Sequence, residues 1–144
     1  MSDRHTRGFT LVEVLIVVVI LGVLAAMVVP QFASATGESR DGSIRMNLHR
    51  VRTQIQVYKT EHDGQLPTLA AFEQQMTLAS DVDGATAAIG TAGYPLGPYL
   101  VQVPLNPKTN SRTVSADSIG SSAWYYNEST GEFRANDSVE TSLY

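Results

Sequence analysis

The sequence predicts an α+β chain: a long N-terminal helix, membrane-spanning in its first half and amphipathic in its second, followed by a small C-terminal antiparallel sheet. Three observations predict it. Phe9 to Val29 is a run of 21 residues with one ionisable side chain, Glu13. From Ser43 to His62 apolar residues recur at alternating four- and three-residue steps. After Gly64 that period gives way to short aromatic and β-branched runs punctuated by Gly, Pro, Asn and Asp. The expected segments are a leader at 1–8, a spanning helix at 9–29, a bent continuation and amphipathic helix at 30–63, and a globular part at 64–144 with a short helix, a loop and antiparallel strands. A chain of 144 residues fits one domain.

The apolar run is long enough to cross a bilayer, which takes roughly 20 residues rising ~1.5 Å each. Backbone amides in hydrocarbon must be satisfied within their own segment, so the run is forced to be helical. Glu13 is the exception. A carboxylate costs about 2.5–3.5 kcal/mol at mid-membrane and less near the interface, so an acid five residues into the run invites a functional reading. Arg4 and Arg7 flank the span on its N-terminal side, which keeps the leader cytoplasmic and sends the residues after Pro30 outward.

Met1 to Gly8 is thus a short basic leader, closed by Gly8 and followed by Phe9-Thr10-Leu11-Val12-Glu13 and an apolar helix. This closely resembles the prepilin processing motif of type IV pilins and type II secretion pseudopilins. The resemblance implies a type IV pilin-like fold and a membrane prepilin peptidase that cuts after Gly8 and N-methylates Phe9. It implies a bacterial inner-membrane precursor, N-terminus cytoplasmic and C-terminal domain periplasmic. Such a precursor polymerises with itself and with related minor pilins, through an inner-membrane assembly platform, into a filament in the periplasm or at the cell surface. It implies too that Glu13 pairs with the amino group of a neighbouring subunit's Phe9, and that Pro30, matching a family proline, kinks the helix.

The chemistry is coherent with that picture. Cutting after Gly8 leaves an α-amine of pKa near 8 at the edge of an apolar helix, mostly protonated at neutral pH. Glu13 lies one helical turn away, so the two charges can neutralise each other when helices pack with an axial offset. Gly22 and Ala26 form a small-x-x-x-small pair that permits close helix approach. Two other readings compete. Ala33-Ser34-Ala35 fits a signal-peptidase site, which would release a secreted domain beginning at Thr36, but a signal core spans about 7–15 residues and this run is longer and carries Glu13. The other is a membrane-anchored binding module that stays monomeric.

Pro30 lacks an amide hydrogen, and Gly37 and Gly42 lower helix propensity, so the helix is expected to bend or loosen between Pro30 and Gly42. Beyond it Ile44, Leu48, Val51, Ile55 and Tyr58 fall on one helical stripe that must be covered. Arg45, Arg50, Arg52 and Lys59 lie off that stripe with no acid between them. No aromatic is interleaved there, and the net charge is −4, or −5 once the leader's two Arg and one Asp are removed. Nucleic acid is therefore disfavoured, and a solvated or subunit-contacting face preferred. Residues after Gly64 carry eight acids and three bases. The acidic domain of one subunit is expected to meet the basic stalk of another in the fibre.

Asp63-Gly64 and Pro67 end the long helix, and Thr68 is expected to cap a short one in which Leu69, Phe72 and Met76 share a face. Asp81 to Gly93 reads as a surface loop. Its Asp81-Val82-Asp83-Gly84 is no calcium loop, because Ala92 stands where the bidentate acid is required. Gly97-Pro98-Tyr99-Leu100 and Pro104-Leu105-Asn106-Pro107 resemble the segment leading into the sheet of major pseudopilins, and their prolines suit an edge or crossing segment. Ser111 to Ser115 can form a short strand. Ala123 to Asn127 and Glu132 to Ala135 form a hairpin around Asn127-Glu128-Ser129-Thr130-Gly131, with Trp124, Tyr126 and Phe133 facing the core.

Cysteine is absent, which excludes disulfides, thiolate metal sites and cysteine nucleophiles. His5, His49 and His62 and the scattered serines form no catalytic constellation, and no phosphate-cradling loop is present, so no enzyme and no bound cofactor are expected. Several pseudopilins bind calcium in a C-terminal loop. Asp117, Asn127, Glu128, Asn136 and Asp137 offer hard oxygens for it, though Asn and Asp also serve ordinary turn chemistry.

Overall fold

The computed structural model describes residues 9–144. The leader, with Arg4, His5, Arg7 and the Gly8 processing position, lies outside the described residues. Two compact units divide the chain, Met1–Ser39 and Arg40–Tyr144. Helix α1, Leu11–Glu61, is 51 residues long and contains Pro30. The loosening expected between Pro30 and Gly42 does not appear as an interruption of the helix. Proline removes one i→i−4 bond, and the adjoining turns carry the helix across it. In the first unit every side chain from Phe9 to Phe32 is exposed. An 18-residue window of α1 has a mean hydropathy of 3.1, so by length and composition the helix can cross a membrane.

In the second unit the amphipathic half of α1 does what its period requires. Ile44, Leu48, Val51, Ile55 and Tyr58 are each at most 1% exposed, and burying such side chains contributes about 1.5–3 kcal/mol apiece. Against them pack Phe72 and Met76 of α2 (Phe72–Thr77), the crossing residues Leu100 and Val103, and the sheet residues Trp124, Tyr126 and Phe133. Thr68 is not the cap of α2. Its N–H and hydroxyl donate to Gln75 Oε1, and the residue before α2 is Ala71, with no side-chain cap. Gln75, held between Thr68 and the Gly84 carbonyl, ties α2 to the following turn in place of a cap.

Part of the expected loop pairs. β1 (Ala79–Ser80) and β2 (Thr86–Ala87) are antiparallel. The Asp81–Ala85 turn between them closes through Asp81 Oδ1, which accepts the Ala85 N–H at 2.9 Å, and Gly84 sits at φ +84°. The Asp81 carbonyl also accepts the Gly84 N–H at 3.1 Å, so side chain and backbone close the turn together. Segment 97–107 forms no strand. Tyr99 and Leu100 instead donate their N–H groups to the Met76 carbonyl, which carries the proline-rich stretch across the end of α2.

The second sheet is mixed, where an antiparallel one was expected. β4 (Trp124–Asn127) and β5 (Glu132–Ala135) form the predicted antiparallel hairpin, with Trp124 opposite Ala135 and Asn127 opposite Glu132. Trp124, Tyr126, Phe133 and Ala135 point inward, while Arg134 covers the outward Tyr125 ring at 3.9 Å. β3 (Val114–Ser115) runs parallel to β4. Parallel connections normally need a dozen or more residues. Here each strand of the pair contributes two residues, about 7 Å of rise, so residues 116–123 suffice to return the chain.

His62 closes the end of α1 and is fully buried. Its ring stacks on Tyr58 at 3.6 Å, Nδ1 lies 2.8 Å from the Tyr58 carbonyl and Nε2 lies 3.0 Å from Ser80 Oγ. A carbonyl can only accept, so Nδ1 carries the proton and, in the neutral ring, Nε2 accepts from the Ser80 hydroxyl. Both nitrogens serve the fold.

Three buried tyrosines bear on the stability of this unit at alkaline pH. Burial is the first cause that raises Tyr58, Tyr99 and Tyr126 above the ordinary value of 10. Glu61, which accepts the Tyr99 hydroxyl at 2.7 Å, adds to it there. The folded state holds these phenols protonated beyond the point where the unfolded chain ionises. Their contribution is therefore complete below about pH 10 and is lost as pH rises above it. The urea midpoint of the full chain in detergent should be level to about pH 10 and then fall together with the appearance of phenolate absorbance. A midpoint that stays level while the tyrosines ionise excludes this account.

Candidate functional site

The site that the sequence singles out is the start of α1. Glu13 and Thr10 form a reciprocal capping box: the Glu13 N–H donates to Thr10 Oγ1 at 3.2 Å, and the Thr10 N–H donates to Glu13 Oε2 at 3.4 Å. Two of the four orphan N–H groups of the helix start are thereby satisfied. In hydrocarbon an unsatisfied backbone group costs several kcal/mol, so the box suits a helix that begins in lipid. Thr10 is the residue that sequence reasoning missed, although the T-x-x-E spacing was in plain view. Phe9 precedes the box with its side chain exposed. In the uncut chain its nitrogen is an amide, so the charge pair expected of Glu13 needs both leader removal and a second copy.

The basic residues of α1 are partly committed within their own unit. Arg52 donates through Nε to the Phe133 carbonyl at 2.7 Å and through Nη2 to the Tyr144 carbonyl. Arg45 lies 4.2 Å from the centre of the Tyr144 ring. Lys108 pairs with Asp41 at 2.7 Å and holds its carboxyl below the usual carboxylate range. Arg50 and Lys59 remain exposed. None of this was legible beforehand, because Tyr144 reaches Arg52 across 92 positions.

The five calcium candidates are not brought together. Asn127 and Glu128 sit at the turn end of the β4–β5 hairpin, and Asn136 and Asp137 follow its opposite end, about 10 Å away by strand rise. Asp117 lies with Asn136, its carbonyl 3.5 Å from the Asn136 Nδ2, and the other three are engaged elsewhere. Asn127 Oδ1 accepts the N–H groups of Ser129 and Thr130, Glu128 Oε2 accepts that of Leu69 at 2.6 Å, and Asp137 Oδ1 accepts the Asn106 amide at 2.8 Å. Among the described residues no three His, Asp or Glu side chains gather as a metal cluster. The set does not fit calcium, which takes six to eight oxygens in one shell.

Residues 3–29 match the model of the prokaryotic N-terminal methylation motif. The chain is 31% identical to the type II secretion system core protein G of Pseudomonas aeruginosa over 110 residues, covering 76% of this chain and 73% of that protein. It is 31% identical to the protein of the same name from Klebsiella pneumoniae over 104 residues, covering 72% of this chain and 70% of that one. The type IV major pilin protein PilA of Myxococcus xanthus is 39% identical over 61 residues, 42% of this chain and 28% of that pilin. No solved structure is a significant match. A methylation motif that runs into an exposed apolar helix, an amphipathic continuation under a small sheet, and relatives matched over most of their length together place this chain in the pilin-like family of type II secretion core protein G.

Proposed function

We propose that this chain is the structural subunit of a type II secretion pseudopilus. It is made as an inner-membrane precursor with the leader cytoplasmic and Arg40–Tyr144 on the far side. The leader is removed after Gly8, Phe9 is N-methylated, and the subunits leave the bilayer through an assembly platform to polymerise with their own kind and with minor pilin-like partners. The observation that carries this reading is the methylation motif continuous with a helix exposed from Phe9 to Phe32. A run of apolar side chains with nothing over it is soluble only in lipid or among identical helices. The secretion form is preferred to a surface pilus because the core protein G relatives are matched over both halves of the chain, whereas PilA is matched over 28% of its length.

Mass spectrometry of the mature N-terminus tests it. The expected first residue is N-methylated Phe9. A chain beginning at Thr36, or one retaining Met1 to Gly8 in cells that express the peptidase, overturns the proposal.

Charge gives a second expectation. With Arg45 and Arg52 engaged internally, Arg50 and Lys59 remain to meet the acidic surface of a neighbouring domain. Exposed pairs of this kind are screened beyond about 8 Å at physiological ionic strength. Filament yield should fall as salt rises, and the Arg50→Glu, Lys59→Glu double variant should assemble poorly even at low salt. Equal yields at low and high ionic strength remove charge from the account while leaving polymerisation intact.

A further inference from the structure

We propose that the side-chain amide of Asn136 locks the loop 117–122 in place of a cation, so that the folded domain is indifferent to calcium. The inference stands apart from polymerisation and rests on the surroundings of one nitrogen. Asn136 follows β5 and is fully buried. Its Nδ2 faces four oxygens: Ser122 Oγ at 2.8 Å, the Ser118 carbonyl at 3.1 Å, Ser121 Oγ at 3.4 Å and the Asp117 carbonyl at 3.5 Å. A loop that turns its carbonyls and hydroxyls onto one centre is the arrangement by which proteins hold a hard cation. Here the centre is an N–H donor. The two carbonyls can only accept, so the amide must present its nitrogen to them, and its two hydrogens go to the two nearest oxygens.

The oxygens are then used up. The Ser118 carbonyl also accepts the N–H and the hydroxyl of Ser121. Ser122 Oγ donates to the Trp124 carbonyl and accepts from Ser115 Oγ, both at 2.9 Å, besides accepting from Asn136. The backbone of Asn136 completes the lock: its carbonyl accepts the Gly120 N–H at 2.6 Å and its N–H donates to the Ala123 carbonyl at 3.1 Å. Asp117 contributes its carbonyl to the centre. The oxygen of the Asn136 amide is buried without a hydrogen-bond partner, but it belongs to the group whose nitrogen already fills the centre, which leaves no shell of the six to eight oxygens that calcium takes.

The test is thermal unfolding of the full chain in detergent, followed by the fluorescence of Trp124, the sole tryptophan. The midpoint should be the same in EGTA and in millimolar calcium. Asn136→Asp exchanges the donor for a carboxylate that faces carbonyl oxygens, and its midpoint in EGTA should lie roughly 5–10 °C lower. A wild-type midpoint that rises with calcium overturns the proposal, and so does an Asn136→Asp variant as stable in EGTA as its parent. The wild-type comparison decides even where the variant does not fold. Neither reading involves filaments, so its failure and that of the polymerisation proposal are distinct.

Discussion

Replacing Glu13 by valine should leave membrane insertion and leader removal intact and lower the yield of filaments more than tenfold. Insertion becomes easier, because a carboxylate that costs about 2.5–3.5 kcal/mol at mid-membrane is gone. The proposed processing positions, Gly8 and Phe9, lie outside the substituted one. Assembly is where the loss falls. The processed subunit carries a protonated amine at Phe9, and in a bundle of apolar helices Glu13 is the anion within one turn of it. Removing one partner of a buried pair costs about 3–5 kcal/mol per contact, whereas tenfold in yield needs about 1.4. The capping box supplies a control. Thr10→Ala removes the hydroxyl that accepts the Glu13 N–H and should cost about 1 kcal/mol of helix-start stability, leaving the carboxylate in place. Sheared filament against total mature subunit, read by immunoblot, measures both. Glu13→Val filaments at the wild-type level would show that the carboxylate is dispensable for assembly, and a Thr10→Ala defect as deep as that of Glu13→Val would show that it acts as a cap and not as a counter-ion.

Phe133→Ala should be the most damaging substitution in the second unit, at about 3–5 kcal/mol. The Phe133 ring is 1% exposed and lies 5.7 Å from Phe72 and 5.5 Å from Trp124, so it joins α2 to the β4–β5 hairpin. A domain of this size has about 5–15 kcal/mol in total. The unfolded fraction should therefore rise at least a hundredfold, with a urea midpoint lowered at unchanged slope. Phe133→Leu keeps most of the volume and should recover more than half of the loss. A deficit under about 1 kcal/mol for the alanine variant would mean that the site collapses freely around the missing ring.

The parts of this molecule that were legible in advance are those in which chemistry depends on near neighbours in the chain. The buried stripe from Ile44 to Tyr58 follows from a period of 3.6, and the inward Trp124, Tyr126 and Phe133 follow from a period of two. The β4–β5 hairpin follows from Asn127 and Gly131 at its turn. The Thr10–Glu13 box is equally local, carried by the T-x-x-E spacing that also places the charge of Glu13. What went unseen, or was expected otherwise, lies at longer range. The parallel direction of β3, Gln75 tying α2 where Thr68 was expected to cap it, Arg52 on Tyr144, and Asn136 at the centre of the 117–122 loop are each fixed by partners that packing alone brings together.

The sequence by itself therefore carried the signals from which the family follows. A methylation motif and an apolar helix long enough to cross a membrane are one-dimensional signals that depend on no folded domain. Only the tertiary structure decided how the domain is held. A backbone carbonyl, an arginine or an asparagine amide can satisfy many partners, and which of them it takes is settled when the core closes and fixes the groups within its reach.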